Sequence, residues 1–345
     1  MNNVRLVDVA AHAGVSMKTV SNVVHAYPHI RPATRAKVQA AIDELGYRPH
    51  SAARRLATGR TGMLSLAIPV LDIPYFAELA RCLADEAARR DYRVLIQQTI
   101  AGEKAERAAL DVSEAGLVDG ILAHPVSLSA DEIEQAVARQ PIVLLGEGDV
   151  PSRFDRVMID NVKAAREAVD LLVRLGRRRI AFLGVERAPL TPPTVDRIAG
   201  YRQGLEEAGL EIDDDLLIPL DGFGSGDALR AIERTLAAGT RFDGIVCRHD
   251  GVALGALRAL RAAKVRVPDD VALVGWDDDT AGEFLETSLT TVRPDKQMIA
   301  TTAIDLLIER IEGYDGPGRH VIVPHTIEIR ESAPLPASDR GFRDS

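Results

Sequence analysis

The sequence predicts a small all-α helix-turn-helix head joined to a larger α/β body built as two doubly wound parallel-sheet lobes. Three observations predict it. Residues 6–24, LVDVAAHAGVSMKTVSNVV, hold two short amphipathic helical patterns joined by a Gly-containing turn. From Met63 onward, short apolar strands alternate with helical segments, the beat of parallel sheets covered on both faces. The strand candidates are too many for one sheet and divide naturally between two similar lobes.

In the head, Leu6, Val9, Ala10 and Ala13 recur at i, i+3, i+4 and i+7, giving one apolar stripe. Gly14 follows where a helix end needs a left-handed residue, and Ser16 can cap the next helix through its hydroxyl. Val20, Val23 and Val24 form the buried face of that second helix. Met17, Lys18, Ser21 and Asn22 fall on its other face as two i, i+4 pairs. Such a face suits a major groove; a helical hairpin with a solvated face is the plainer alternative. Residues 32–45 form a third helix, with Val38, Ala41, Ile42 and Leu45 on one stripe and Gly46 beyond its end.

Charge separates head from body. Residues 1–62 carry nine Lys/Arg against three Asp/Glu, while the whole 345-residue chain is −9, so the remainder is strongly acidic. A basic head on an acidic body points to a head that meets phosphate. The chain is 46% hydrophobic and 27% charged, ordinary for a globular protein. No apolar run approaches a membrane span, and the N-terminus lacks a signal pattern. Cys82 and Cys247 stand far apart, outside any CxxC, and read as buried thiols of a reducing cytoplasm. His12, His25, His29 and His50 have no neighbouring Cys, which argues against a zinc finger.

Residues 48–62, RPHSAARRLATGRTG, connect head and body. Pro49 stops the third helix, and a short helix could follow to about Ala57. Either this is a flexible basic linker, or it folds against DNA with Leu56 as a minor-groove wedge. In the body, strands are expected at 63–70, 93–99, 120–125, 141–146, 156–160, 179–184, 216–220, 244–247 and 271–275. Helices are expected at 76–90, 162–175, 198–208, 227–238, 251–263 and 296–312. Residues 289–295, 320–324 and 326–330 read as late strands added to both lobes. The expected lobes are 63–160 with 291–320, and 161–290 with 321–332. Residues 333–345 are expected to be disordered.

Catalytic constellations fail inspection. Gly222-Phe223-Gly224-Ser225-Gly226 lacks the third Gly of a dinucleotide fingerprint and fails GxSxG. Trp276-Asp277-Asp278-Asp279 reads as a hard-metal cluster or, more simply, as an acidic loop. No cofactor, metal or catalytic group is therefore expected. Asp277 differs from its neighbours, because it directly follows a strand, where ligands of open α/β sheets bind. Asp72, Tyr75, Phe76, His124, Glu147, Phe223, Arg248, His249 and Asp250 also stand near strand ends, and Arg197 opens a helix. Carboxylates, an Arg and aromatic faces suit a small polyhydroxylated ligand. Phe76 as a core contact and Asp250 as a helix cap remain the structural alternatives.

Together these residues resemble the lactose-repressor (LacI/GalR) family of bacterial transcription regulators over residues 4–332. The head VDVAAHAGVSMKTVSNVV with TRAKVQAAIDELGYRP is specific for it. The segment ending RRLATGRTG fits, as do PYFAEL, IDN (159–161), LGRRRIAFLG, R-x-x-GY (197–201), D-x-x-ALGALRAL (250–260), VGWDD and LTTVRP. The resemblance implies a homodimer on a pseudo-palindromic double-stranded operator and a periplasmic-binding-protein-like effector domain. It implies base reading by Met17, Lys18 and Asn22, phosphate positioning by Ser16, Thr19, Ser21 and Arg35, and a wedge from Leu56. It places effector contacts at Phe76, Arg197, Phe223, His249, Asp250 and Asp277. The implied protein is a repressor of sugar uptake or catabolism genes whose operator affinity a small sugar-like effector sets. It would act at the nucleoid of a bacterial cytoplasm. Three departures stand out: Asn22 where Arg is frequent, His249 where Asn is usual, and Ile73 where a polar residue is common. The tail PLPASDRGFRDS has no leucine heptads, so the expected assembly stops at a dimer.

Overall fold

The computed structural model describes residues 4–24, 27, 29–47, 60–100, 102–111, 116–137, 140–148, 151–187 and 190–335. Leu56 and most of the 48–62 connection lie outside the described residues. Two compact units emerge, the first comprising essentially the head and the second carrying both sheets.

The head contains α1 (Leu6–Ala13), α2 (Met17–Val24) and α3 (Pro32–Leu45). Its core is Val9, Ala10, Ala13, Val20, Val23, Val38, Ala41 and Tyr47. The stripes read from the sequence are therefore the buried ones. Gly14 and Gly46 end their helices at φ +57 and +62, a region that an L side chain rarely adopts. Ser16 caps α2, its Oγ accepting from Thr19 N at 3.1 Å. His12 and Glu44 meet at 2.7 Å and tie α1 to α3.

The first lobe of the body contains β1 (Met63–Ile68), α4 (Pro74–Ala88), β2 (Arg93–Gln98), α5 (Glu103–Asp111), β3 (Gly120–Ala123), α6 (Ala130–Ala136), β4 (Ile142–Leu145) and β5 (Asp155–Met158). The second opens with α7 (Asn161–Arg174), β6 (Ile180–Glu186), α8 (Pro192–Glu207), β7 (Leu217–Leu220), α9 (Ser225–Ala237), β8 (Gly244–Cys247) and α10 (Asp250–Ala262). It continues with β9 (Ala272–Trp276), α11 (Thr280–Glu283) and β10 (Thr290–Pro294). The chain then runs through α12 (Lys296–Ile311), β11 (His320–Ile322) and β12 (His325–Glu328). The sheet orders are β11-β5-β4-β3-β1-β2 and β12-β10-β9-β8-β6-β7. Each is six-stranded and parallel except for the antiparallel β10–β12 pair. The central strands β3, β4, β8 and β9 are buried throughout, which explains their unbroken apolar sequences.

Two boundaries differ from expectation. Residues 291–294 were expected in the first lobe, yet β10 pairs with β9 in the second, Thr290 beside Val274. The parallel edge of β9 is thereby filled, and the chain crosses back only after Pro294. It crosses again after β11, which pairs with β5. The expected disordered tail also begins too early. Ala333 is fully buried, its N donating to Thr290 Oγ1 at 3.2 Å; just before it, at the expected end of the second lobe, Ser332 Oγ donates to Leu273 O at 2.7 Å while accepting from Thr290 N at 2.8 Å. The hydroxyl links β9 to β10, so this polar segment is structural rather than solvated. Residues 336–345 lie outside the described residues.

Candidate functional site

Helical phase turns the candidate DNA-facing side of α2 away from the core of the head. Met17 and Lys18 are exposed, and Thr19, Ser21 and Asn22 are half-buried on the same helix. Ser16 Oγ lies 2.9 Å from Thr19 Oγ1, so both hydroxyls stand together at the N-terminus of α2, where backbone N–H groups favour an anion. Arg35 donates to Tyr27 O at 2.7 Å. It thus holds the chain that leaves α2, a role the sequence reading did not anticipate.

In the body, a cavity of about 630 Å³ lies between the two lobes, within the range of small-molecule sites. Phe76, Arg197, Phe223, His249 and Asp277 all line it. They come from the start of α4, the first half of α8 and the ends of β7, β8 and β9. Asp250 does not line it. Its Oδ1 accepts from Trp276 N and Thr291 Oγ1, both at 2.7 Å, and its Oδ2 from Asp279 N at 2.7 Å. Asp250 therefore ties the start of α10 to β9, β10 and the following turn. Its expected contact with an effector is corrected to that positioning role, because the carboxylate is already occupied by protein donors.

Arg197 is the organising group. Its Nε donates to Asn161 Oδ1 at 2.8 Å, its Nη1 donates to Arg248 O, and its guanidinium lies 4.1 Å from the Trp276 ring centroid. Asn161 in turn donates to Glu147 Oε1. This chain of contacts joins the first lobe to the second beneath the cavity. Phe76 packs edge-on against His124, with ring centroids 5.1 Å apart. Arg248 stands 4.6 Å from the Phe223 ring and 3.0 Å from Glu186.

The cavity walls hold polar atoms that protein groups do not satisfy. His124 Nδ1, His249 Nε2, Glu186 Oε2, Asp279 Oδ1 and Arg248 Nη2 are buried without a hydrogen-bond partner, and Arg248 Nη1 meets only Glu186. Such groups are costly unless something meets them. Burial pushes His124 down to about 4 and His249 to about 3, the nearby arginines adding to the effect. Both imidazoles are neutral at pH 7, each offering one donor and one acceptor. Burial likewise raises Glu147 and Asp277, against the pull of Arg197.

The acidic run divides by geometry. Asp277 and Asp278 adopt φ +101 and +52. Asp278 pairs with Arg330 at 2.7 Å, as expected of a structural acidic loop. Asp279 instead lines the cavity, as do Glu186, Thr191 and Thr194, which sequence reasoning missed. Among the described residues no cluster of His, Cys, Asp or Glu could hold a metal ion.

Two family models match this architecture. The model of bacterial regulatory proteins of the lacI family covers residues 5–50, and that of the periplasmic binding protein-like domain covers residues 169–333. The chain belongs to the lacI family. The regulator RegA of Clostridium saccharobutylicum is 32% identical over 327 residues, 94% of this chain and 98% of the relative. The catabolite control protein A of Priestia megaterium is 30% identical over 332 residues, 96% and 99% of the two chains. Among solved structures, the CelR–cellobiose complex superposes with a TM-score of 0.70 at 31% identity, covering 95% of this chain and 99% of that one. The lac repressor dimer bound to operator and the anti-inducer ONPF gives 0.86 at 25% identity, covering 96% and 100%. This lacI-family member is thus a DNA-binding transcriptional regulator and not an enzyme. Among its described residues no helix is long and apolar enough to cross a membrane.

Proposed function

We propose that this regulator is a repressor of sugar uptake or catabolism genes, binding a pseudo-palindromic operator as a homodimer and responding to a sugar or sugar derivative. The observation that carries the reading is the interlobe cavity with its unsatisfied polar atoms. Neutral imidazoles at His124 and His249, the carboxylates of Asp277 and Asp279, and Arg248 match the donors and acceptors of a polyol. The phenyl rings of Phe76 and Phe223 match its apolar face. His249, where the family resemblance implies Asn, keeps a two-sided donor and acceptor at that position.

Met17, Lys18 and Asn22 read bases, and Ser16, Thr19, Ser21 and Arg35 position the phosphates. Asn22 suits adenine. Residues 48–62 connect head and body, with Leu56 entering the central minor groove. Support for a dimer comes from β2, an edge strand that leaves Leu95 and Ile96 exposed, with Leu71, whose N donates to Gln98 Oε1 of β2 at 3.0 Å, also exposed. The protein acts on the nucleoid in a bacterial cytoplasm.

The test is selection of binding sites from sheared genomic DNA of the source organism with purified full-length protein, alone and with a panel of sugars. Enrichment of one pseudo-palindrome, altered by one sugar class, is the expected result. No enriched sequence under any condition overturns the DNA-reading role, and enrichment indifferent to every sugar overturns the effector class.

A further inference from the structure

Both sheets carry the same three residues at the start of a central strand. Asp119-Gly120-Ile121 opens β3, and Asp243-Gly244-Ile245 opens β8. The two strands hold the same place. β3 pairs with β1 and β8 with β6, the first strand of each lobe, Gly120 beside Leu64 and Gly244 beside Ile180. In both lobes the aspartate turns back onto the backbone that feeds this first strand. Asp243 Oδ1 accepts from Arg178 N at 3.0 Å and from Arg179 N at 2.8 Å, and its Oδ2 accepts from Arg178 N at 3.0 Å. Asp119 Oδ1 accepts from Thr61 N at 2.7 Å, and its Oδ2 from Gly62 N at 2.8 Å. Hydrogen bonds to an ionised carboxylate are the stronger kind, and two successive N–H groups on one carboxylate fix the direction of the chain.

What differs is the chain being held. Arg178 and Arg179 lie between α7 and β6, so Asp243 closes a turn inside the second lobe. Thr61 and Gly62 are the last residues of the connection from the head, so Asp119 holds the point where that connection becomes β1. Gly62 adopts φ +70, a conformation of the kind in which successive N–H groups converge on one anion. Val118, next to Asp119, is buried. Asp119 belongs to the compact unit of the head, while the following residue opens β3 in the body. β3 is buried throughout and ends at Ala123; His124, which lines the interlobe cavity, comes next. The N of His124 donates to Ala67 O of β1 at 2.9 Å, and β1 leads to Pro69 and Val70 in the same cavity wall. Two paired, close-packed strands thus run from the cavity wall to the residues beside the Asp119 carboxylate, and such packing transmits strain rather than absorbing it.

We propose that Asp119 is a positioning residue for the control of DNA binding: its carboxylate passes a change at the cavity end of β1 and β3 to the chain arriving from the head. The inference rests on the reading of an effector-controlled regulator above. Asp243 has the same chemistry but no such chain to hold, and serves the stability of the second lobe alone.

The test compares full-length wild type, Asp119→Ala, Asp119→Asn and Asp243→Ala. Two duplexes are the probes, one carrying the pseudo-palindrome that site selection enriches and one of random sequence. Asp119→Ala should bind the pseudo-palindrome about fivefold or more weakly than wild type, with its affinity for the random duplex unchanged. A basic head on a freed chain still meets phosphate, but it is no longer presented in one direction. Asp119→Asn keeps one acceptor oxygen and should fall between the two; should Asp119→Ala not fold, Asp119→Asn carries the same comparisons. Asp243→Ala should lower the urea midpoint as Asp119→Ala does, while both of its duplex affinities stay at wild type. Glucose, ribose and cellobiose are then added in turn. A sugar that shifts the wild type's affinity for the pseudo-palindrome should shift that of Asp119→Ala about threefold less or not at all, although Trp276 fluorescence shows it bound as tightly. An undiminished preference for the pseudo-palindrome in Asp119→Ala, or an undiminished sugar response, overturns the inference. Equal loss in Asp243→Ala overturns it too, as a general effect of lower stability. If none of the sugars moves the wild type's operator affinity, the sugar reading fails, and the two duplex affinities alone decide the role of Asp119. If selection enriches no sequence, the DNA-reading role falls and this inference with it.

Discussion

Asp279 lies buried at the cavity wall among Asp250, Asp277, Asp278 and Glu78, with Lys296 as the opposing cation. Burial first, and then the neighbouring carboxylates, push it up to about 7 from the ordinary 3.8. The sign follows from proton counting. Below pH 4 the folded and unfolded chains both hold this proton; between about 4 and 7 the folded chain alone holds it. Stability from this group is therefore lost as pH rises through that window. Asp279→Asn should stabilise the protein at pH 8 by roughly 1–2 kcal/mol, the open cavity moderating the effect of burial, and by much less at pH 5. Urea unfolding of both proteins at the two pH values checks this; a difference that does not change with pH rules it out. The residue also marks a limit of sequence reading. Asp277 was legible because it follows a strand. Asp279 was not, because its entry into the cavity depends on two successive aspartates at positive φ, a conformation to which the one-letter pattern gives no clue.

At the scale of elements, helix and strand positions follow from apolar periodicity, and α3 has the bounds expected. The contacts between elements were less legible. R-x-x-GY, residues 197–201, read as a landmark of resemblance, and the structure supplies its physical content. A Cβ on Gly200 would lie 2.1 Å from Val162 O, and one on Gly204 would lie 2.8 Å from Val169 Cβ. The two glycines let α8 approach the backbone of α7, and Arg197, one turn earlier on α8, reaches Asn161 at the start of α7. Gly200→Ala should destabilise the protein by about 1–3 kcal/mol through overpacking, since the obstacle is backbone and cannot rotate away. It should also weaken effector binding by displacing Arg197. Denaturant unfolding checks the first effect. Fluorescence of Trp276, the single tryptophan in the chain, checks the second, because its ring stacks beneath Arg197. Wild-type stability and affinity together would mean that the helices part more easily than this packing allows.

Over the whole molecule, two lobes were legible from the number of strands, but the allocation of the late strands was not. β10 and β11 are short, mixed segments that either sheet edge could accept, and pairing rather than composition assigns them. The consequence is mechanical. The chain passes between lobes after β5, after β10 and after β11, and Lys296 stands just beyond the second passage. It pairs there with Glu78 of α4, whose Oε1 accepts from Thr280 Oγ1 of α11 at 3.3 Å. Glu78 thus joins the first lobe to the second beside the effector cavity. Lys296 is largely buried, so Glu78→Gln removes the carboxylate it pairs with at the lobe boundary and leaves only Asp277 and Asp279, which it does not contact as an ion pair, to balance it. A lobe arrangement in which Lys296 reaches water then gains population. An effector that must touch both lobes should bind about 5–20-fold more weakly, a coupling of roughly 1–2 kcal/mol. Arg261→Ala removes the exposed pair with Glu286 and should leave affinity unchanged, as expected of a solvated ion pair. Trp276 fluorescence titration of the three proteins decides the matter. Equal affinities for wild type and Glu78→Gln would show that the Glu78 contacts do not couple lobe arrangement to effector binding. Weakening in both variants would show a general response to lost surface charge, with no latch at Glu78.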